Sequence, residues 1–213
     1  MELIPALEVR MSKKLFIFDL DGVLVDACEW HKDALNEALI ETVNYSITTE
    51  EHISTFNGIP TREKLKLLSE RGIVPIELHN KINNLKQEKT IEIIEQKAFK
   101  RKEKVEMLKI IKESNHIICC YTNSISKTAH LMLEKTGIKE FFQIILTNED
   151  VKKPKPDAEG YKYLINLFDI EKENCYIIED SPKGKKAAYA SGANVIEVNS
   201  VADVNIELLR EFI

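Results

Sequence analysis

The 213-residue sequence lacks any apolar run that could cross a lipid bilayer, which takes about 20 consecutive apolar residues. Its first ten residues contain Glu2, Pro5 and Glu8, and they lack the positively charged start and apolar stretch of a secretory signal. Either Met1 or Met11 could be the true start, and the sequence leaves that choice open. We therefore expect a cytoplasmic protein with no membrane partner.

Cysteine is scarce, and its four copies follow no metal-binding pattern. There is no CxxC pair and no cluster of cysteine with histidine, which argues against a zinc site. Cys119 and Cys120 fall inside an apolar run, where small buried residues are expected. The sequence predicts reduced, buried thiols, as in a cytoplasmic protein.

An excess of positive charge is also missing. The formal net charge is −5, so the protein as a whole does not attract nucleic acid or anionic membranes. A bound anion must then be held by local positive groups. The densest basic run has interleaved acidic residues, which favours a solvated helix face or hinge over a surface that attracts an anionic substrate. This basic run consists of Lys97, Lys100, Arg101, Lys102 and Lys104.

Short apolar runs are present in the number and form that a parallel sheet requires. They are continuous rather than alternating, which is typical of strands covered on both faces. Helical patterns separate the later runs, at Lys127–Lys135 and Ala158–Phe168. This alternation predicts an α/β protein with a doubly wound, Rossmann-like parallel sheet. The predicted strands are Leu15–Leu20, Ile117–Tyr121, Ile144–Leu146, Tyr176–Ile178 and Val195–Val198.

The stretch after the first strand breaks this alternation. It contains helix candidates at Trp30–Thr42, Thr61–Arg71 and Ile76–Phe99 and no convincing strand. A helical module is therefore predicted at 26–104, inserted into an α/β core formed by 1–25 and 105–213.

Two aspartates, Asp19 and Asp21, close the first apolar strand. Residues two positions apart in an extended segment point to the same side, so both can face one cleft. In an open α/β sheet that cleft lies beyond the carboxyl ends of the strands. Gly22 allows a sharp turn there.

Polar residues also follow other predicted strands. Thr122 and Asn123 follow the second strand, and Glu179 and Asp180 follow the fourth. Several carboxylates in one cleft repel one another unless a cation relieves them, and hard oxygen ligands suit Mg²⁺. A nearby lysine could neutralise the remaining charge. This set of groups suits the transfer of a phosphoryl group to a carboxylate.

The segments DLDGVLVD, YTNS, KPKPD and IIEDSPKG resemble, in order and approximate spacing, the four motifs of the haloacid dehalogenase superfamily. They span Asp19 to Gly184. The insertion after the first motif resembles the helical cap of the β-phosphoglucomutase and phosphoglycolate phosphatase branch.

The resemblance implies a role for each motif residue. Asp19 would be the nucleophile and a metal ligand, and Asp21 the general acid and base, its backbone carbonyl also binding Mg²⁺. Thr122 and the amide of Asn123 would bind the phosphoryl group. Lys153 would offset the charge of the nucleophile and the phosphoryl group, with Lys155 as the alternative. Glu179 and Asp180 would bind the metal. We expected neighbouring carboxylates to raise the pKa of Asp21.

Within the cap, His31 resembles a histidine that faces the active site in this branch. The segment from Phe56 to Arg62 resembles its substrate-specificity loop, with Arg62 a candidate for gripping an anionic or hydroxylated substrate. For His31 a surface or packing role is the alternative, and for Arg62 an exposed position at a helix start. The hinges are expected at Gly22 and near Lys100–Lys104. The remaining histidines are expected at ordinary surface or packing positions: His52, His79, His116 and His130.

Together these features predict a Mg²⁺-dependent phosphatase that acts on a small phosphorylated metabolite through an aspartyl-phosphate. A phosphomutase similar to β-phosphoglucomutase is the alternative enzyme. A catalytically silent binding protein is a third hypothesis, against which Asp19, Asp21, Lys153 and Asp180 argue. No nucleic-acid partner is expected, and a monomer is predicted because no heptad run or extended apolar seam is present.

Overall fold

A computed structural model describes residues 13–213 apart from residues 57 and 58. The choice between Met1 and Met11, and the Asn57-Gly58 part of the predicted specificity loop, lie outside the described residues. The fold contains a five-stranded parallel sheet with the order β3-β2-β1-β4-β5. Its strands are β1 (Leu15–Phe18), β2 (Ile117–Tyr121), β3 (Ile144–Leu146), β4 (Cys175–Glu179) and β5 (Asn194–Glu197).

Strand β1 lies at the centre of the sheet and is fully buried. Its side chains alternate between the two faces: Phe16 and Phe18 pack into one hydrophobic cluster, and Leu15 and Ile17 into the other. Both faces are therefore covered, as the continuous apolar runs predicted. The arrangement confirms the doubly wound α/β fold and places Asp19 at the carboxyl edge of the sheet.

Helices of the core cover the two faces of the sheet. Three of them, α5, α8 and α9, are not among the helices predicted from the sequence. The core helices are α5 (Lys102–Glu113), α6 (Ser126–Lys135), α7 (Glu159–Phe168), α8 (Pro182–Ser191) and the short α9 (Ile206–Leu209).

The segment after β1 is helical. Helices α1 and α4 pack against each other, and apolar side chains of α1 and α3, such as Leu35, Leu39 and Leu65, form a hydrophobic cluster of their own. The predicted domain limits at residues 25/26 and 104/105 remain a prediction. The elements of this cap are α1 (Cys28–Val43), α2 (Thr49–Glu51), a π-helical turn (His52–Phe56), α3 (Thr61–Glu70), a 3₁₀ turn (Ile76–Leu78) and α4 (His79–Lys97).

The basic run has structural contacts where the chain returns from the cap to the core. Lys97 pairs with Asp33 at 3.5 Å. Lys104 is buried, and its ammonium donates to the backbone carbonyls of Val201 and Val204. In the described part of the chain, no residue of the basic run lines the cavity discussed below. These contacts favour the structural interpretation of the run.

We predict that Lys104→Met lowers the free energy of unfolding by about 2 kcal/mol, because two carbonyls lose a charged donor. Since the site is buried, water does not replace that donor. Chemical denaturation measures the difference. Lys102→Met, at an exposed position of the same helix, should change stability by less than about 0.5 kcal/mol. Equal effects of the two substitutions would show that the Lys104 contacts do not stabilise the fold.

Candidate active site

A cavity of about 250 Å³ lies between the carboxyl edge of the sheet and the cap. Asp19 and Asp21 both line it, as the spacing predicted. The amide of Asp19 still donates to the carbonyl of Ile178 in β4, so the sheet fixes its backbone just past the end of β1. Its side chain is only 6% exposed. A carboxylate held this rigidly at a cavity floor is suited to nucleophilic attack.

The lysine beside Asp19 is Lys155, which is buried in the floor of the cavity. Its ammonium donates to Asp19 Oδ1 at 2.6 Å, to Glu179 Oε1 at 2.5 Å and to the backbone carbonyl of Tyr121 at 2.8 Å. Burial alone would lower the pKa of Lys155, but the carboxylates of Asp19 and Glu179 outweigh it and hold that pKa well above its usual value. Lys155 therefore keeps its positive charge beside the nucleophile.

The assignment of this place to Lys153 was wrong. Lys153 is exposed, and its backbone amide donates to Glu159 Oε2 at 3.0 Å at the surface. Lys155, the alternative, occupies the place because the side chain of Asn123 holds the backbone of Lys155 on both sides. The Asn123 amide donates to the Lys155 carbonyl at 3.0 Å and accepts from the Lys155 amide at 3.1 Å.

Glu179 and Asp180 follow β4 and approach Asp19. Carboxylate oxygens of the three side chains lie within 4.8 Å of one another. Glu179 is fully buried, and Tyr161 and Ser181 both donate to it, at 2.8 Å and 3.2 Å. Three carboxylates therefore lie close together and require positive charge beside them.

Two glycines make room for these carboxylates. A Cβ atom on Gly22 would lie 2.1 Å from Asp180 Oδ2, and Gly22 also has a φ of +93°. A Cβ atom on Gly184 would lie 1.9 Å from Glu179 Oε1. Gly22 is therefore required by both its backbone conformation and the approach of Asp180.

The donor set fits a hard divalent cation. Asp180 Oδ1 is buried and has no hydrogen-bond partner among the described residues. Burial and then Glu179 raise the pKa of Asp180 to about 6. Burial also raises the pKa of Asp19, with Lys155 opposing the shift and the nearby carboxylates adding to it. A divalent cation bound by these carboxylate oxygens would reduce the repulsion between them. Mg²⁺ prefers such oxygen ligands.

Asp21 lies across the cavity in a network of donors. Its Oδ1 contacts His31 Nε2 at 2.9 Å, and its Oδ2 accepts from Thr122 at 3.1 Å and Ser124 at 2.8 Å. Burial raises the pKa of Asp21, but His31 and the two hydroxyl groups outweigh burial and hold it below its usual value. The expectation of a raised pKa was therefore wrong, because these donors stabilise the ionised carboxylate.

His31 connects Asp21 to the cap. Lys86 Nζ donates to His31 Nδ1 at 3.3 Å, which leaves the proton on Nε2 for the bond to Asp21. Burial and then the charge of Lys86 lower the pKa of His31, which favours the neutral ring. The structure thus brings His31 to the cavity, where the sequence placed it.

Other cap residues complete the cavity wall. Arg62 lines it but is exposed, whereas Lys64, two residues further along α3, is buried. His52 also lines the cavity and is only 4% exposed, which agrees with a packing position and also places it beside the cavity. The cap therefore offers more polar groups to a ligand than the sequence indicated.

The other singled-out residues have structural contacts. His79 contacts the hydroxyl of Ser69 at 2.6 Å, and His116 packs beside the ring of Phe16. All four cysteines are free thiols, and Cys119, Cys120 and Cys175 are buried, as expected. Cys28 is half-buried and lines the cavity.

Several residues of the site were missed in the sequence. Ser124 lies in the YTNS segment, and its donation to Asp21 was not predicted. Tyr161 lies in the predicted helix Ala158–Phe168, and its contact with Glu179 was not predicted. Lys64 and Lys86 lie in charged helices, where lysine usually faces solvent. Their positions on the inward faces of α3 and α4 were the available signal.

With this geometry in place, comparison with known proteins identifies the family. The model of the haloacid dehalogenase-like hydrolase family matches residues 16–198, so the chain belongs to that family. It is accordingly a hydrolase of the phosphatase type, as its motifs predicted. No helix among the described residues is long and apolar enough to cross a membrane.

Individual relatives agree with this assignment. The chain is 26% identical over 179 residues to a phosphorylated carbohydrates phosphatase of Thermotoga maritima, covering 83% of this chain and 80% of the relative. It is 24% identical to a fructose-1-phosphate phosphatase of Escherichia coli, covering 85% and 94%. A β-phosphoglucomutase structure from Clostridium difficile shares the fold, with a TM-score of 0.77, 23% identity and coverage of 94% and 97%.

The two lysines of the KPKPD segment provide a matched pair of variants. We predict that Lys155→Met lowers phosphatase activity by about a hundredfold or more, because a charge aimed at the reacting group is lost. Lys153→Met should keep activity within about threefold of wild type. Thermal unfolding of both variants separates lost activity from lost folding. Comparable losses in two folded variants would contradict the placement of Lys155.

Burial of His52 predicts a pH dependence of stability. Burial and then Lys64 lower the pKa of folded His52 to about 4, against about 6.5 in an unfolded chain. Between these values the unfolded chain binds more protons, so this contribution is full above pH 6.5 and is lost as the pH falls toward 4. We expect wild type to lose roughly 2 kcal/mol more than His52→Gln over this range. Denaturation curves at several pH values test this; identical pH dependences would contradict it.

Proposed function

We propose that the protein hydrolyses a small phosphomonoester through a phosphorylated Asp19, with Mg²⁺ as cofactor. The observation that carries the proposal is the floor of the cavity. There, Asp19 is held beside Lys155, Glu179 and Asp180, while Asp21 faces the same space from two residues further along the chain.

In the first step, an oxygen of Asp19 attacks phosphorus and the bond to the alcohol oxygen of the substrate breaks. Negative charge is carried by the three other phosphoryl oxygens during this transfer. Lys155 offsets it from the floor. When substrate binds, the Thr122 hydroxyl is proposed to turn its one proton from Asp21 to a phosphoryl oxygen, and the backbone amide of Asn123 is the second proposed donor.

Asp21 is the proposed proton carrier. Its contacts with His31 and Ser124 favour the carboxylate, which suits the second step. In that step Asp21 takes a proton from the water that attacks phosphorus, the bond between phosphorus and the Asp19 oxygen breaks, and inorganic phosphate leaves. The first step needs a proton on Asp21 for the departing alcohol. The negative charge of a bound phosphate favours that proton by raising the pKa of the carboxyl group.

Asp19, Asp180 and the backbone carbonyl of Asp21 are the proposed metal ligands. Glu179 contributes its charge, and its hydrogen bonds to Lys155 and Tyr161 fix the position of that lysine. When bound, Mg²⁺ supplies positive charge that offsets the phosphoryl oxygens and the crowded carboxylates.

The cavity limits the substrate to a small molecule. Its volume of about 250 Å³ is below the range of about 300–1,000 Å³ typical of drug-sized ligands. A sugar phosphate, a polyol phosphate or a similar metabolite fits this space, and the names of two relatives refer to phosphorylated carbohydrates and fructose 1-phosphate. His31 and Arg62 are proposed to contact the substrate from the cap side.

The first test is release of inorganic phosphate from a panel of sugar and polyol phosphates. We expect Mg²⁺-dependent release that a chelator abolishes. Asp19→Asn should lower it by at least about a thousandfold, since the nucleophile is lost. Asp169→Asn is the matched control, because Asp169 is an exposed helix cap with a φ of 51° that asparagine also tolerates.

Each alternative gives a different result in the same assay. Interconversion of sugar-phosphate isomers without net phosphate release would indicate a phosphomutase. Binding of phosphate esters without turnover would indicate a silent binding protein. Either result would overturn the phosphatase proposal.

A further inference from the structure

The cap half of the cavity is lined by polar side chains that the proposed chemistry does not use. Helix α4 presents Asn83, Lys86 and Gln87, helix α3 presents Lys64, and the π-helical turn presents His52. Positions 83, 86 and 87 are three and four residues apart, so they share one face of α4. This face looks onto the space left for the alcohol part of the substrate.

Lys64 is a buried cation of the cavity without a counterion, whereas Lys155 has two. Lys64 is 6% exposed, and its ammonium group makes no hydrogen bond or ion pair within residues 13–56 and 59–213. The lysines that most influence its pKa, Lys86 and Lys183, are positive as well. A buried cation among like charges is costly unless an anion is present.

Lys86 and Lys155 have partners of their own. Lys86 contacts His31, which is bound to Asp21, and Lys155 is paired with Asp19 and Glu179. Their charges are therefore directed to the residues of the proposed reaction. The charge of Lys64 is not, although burial lowers its pKa only to about 8, so that it is mostly protonated at neutral pH.

Two further buried atoms near this lysine lack partners among the described residues. They are His52 Nδ1 and Gln87 Oε1, and both side chains line the cavity. Buried polar atoms are nearly always hydrogen-bonded, so these two atoms in the cavity wall are available to a ligand.

We propose that Lys64, with His52 and Gln87, forms a subsite for a second anionic group, so that the preferred substrate is a phosphomonoester whose alcohol part carries a carboxylate or another phosphate. The proposal rests on the proposed function for the placement of the first phosphate at Asp19. Lys64 supplies the charge, and His52 donates to the anionic oxygens in the tautomer that carries its proton on Nδ1. Gln87 Oε1 accepts from a hydroxyl group of the substrate beside the anion.

Matched substrate pairs test this preference. 3-Phosphoglycerate and glycerol 3-phosphate share a three-carbon skeleton and differ in a carboxylate against a hydroxymethyl group. Fructose 1,6-bisphosphate and fructose 1-phosphate differ in a second phosphate. In at least one pair, wild type should show a higher kcat/KM for the member with the second anionic group. The pair that shows this difference identifies carboxylate or phosphate as the group bound.

Lys64→Met should lower kcat/KM for the substrate with the second anionic group by about 10- to 100-fold, as expected for a lost charged hydrogen bond. The kcat/KM for the substrate without that group should change by less than about threefold. Lys64→Arg should retain most of the preference. Lys66→Met, at an exposed position two residues along α3, is the matched control. The subsite would be overturned if wild type preferred the member without the second anionic group in both pairs. An equal loss of kcat/KM in Lys64→Met on both members of a pair would overturn it as well.

A binding measurement separates this proposal from the proposed function. Calorimetry with the Asp19→Asn protein and Mg²⁺ measures ester affinity without turnover. Tighter binding of the anionic ester that depends on Lys64 would support the subsite even where wild type releases no phosphate. If wild type releases phosphate and Lys64→Met does not change its choice between the members of a pair, the phosphatase proposal stands and the subsite is contradicted.

Discussion

The buried contact of Lys155 with Asp19 and Glu179 is the interaction on which the site depends. An ammonium group has three N–H donors, and all three are used, by two carboxylates and the carbonyl of Tyr121. Without this cation, two carboxylates would be buried side by side at a cost of several kcal/mol. Without the carboxylates, the lysine would be equally costly to bury. Each group therefore makes the burial of the others tolerable.

This requirement explains features elsewhere in the core. Tyr161 of α7 donates to Glu179 and lies edge-on to Tyr121, so the helix that covers the sheet also fixes the ion pair. Gly184, at the start of α8, leaves the space that Glu179 fills. The helices around the sheet thus do two tasks: they bury its apolar face and hold the charged floor in one geometry.

The fold was predictable because its signal is local. Strand β2 was predicted with its observed limits, since five consecutive apolar residues are typical of a short strand covered on both faces. The lysine of the floor was not predictable in the same way. Lys153 and Lys155 both precede a proline, and the hydrogen bonds that hold Lys155 in place come from residues distant in sequence, such as Asn123, 32 residues away. The sign of the Asp21 pKa shift depends equally on tertiary contacts, with His31 and Ser124, that no local pattern reports.

The cap lysines follow the same principle at a larger scale. The floor of the cavity concentrates carboxylates, and the opposing wall of the cap concentrates lysines, so the field across the cavity has a direction. A substrate with phosphate at one end satisfies the floor through Lys155 and the metal. An uncharged remainder would leave Lys64 without a counterion on the opposite wall, whereas a negative group there would complete the charge balance. The polarity of the cavity therefore selects the far end of the substrate as well as the reacting end.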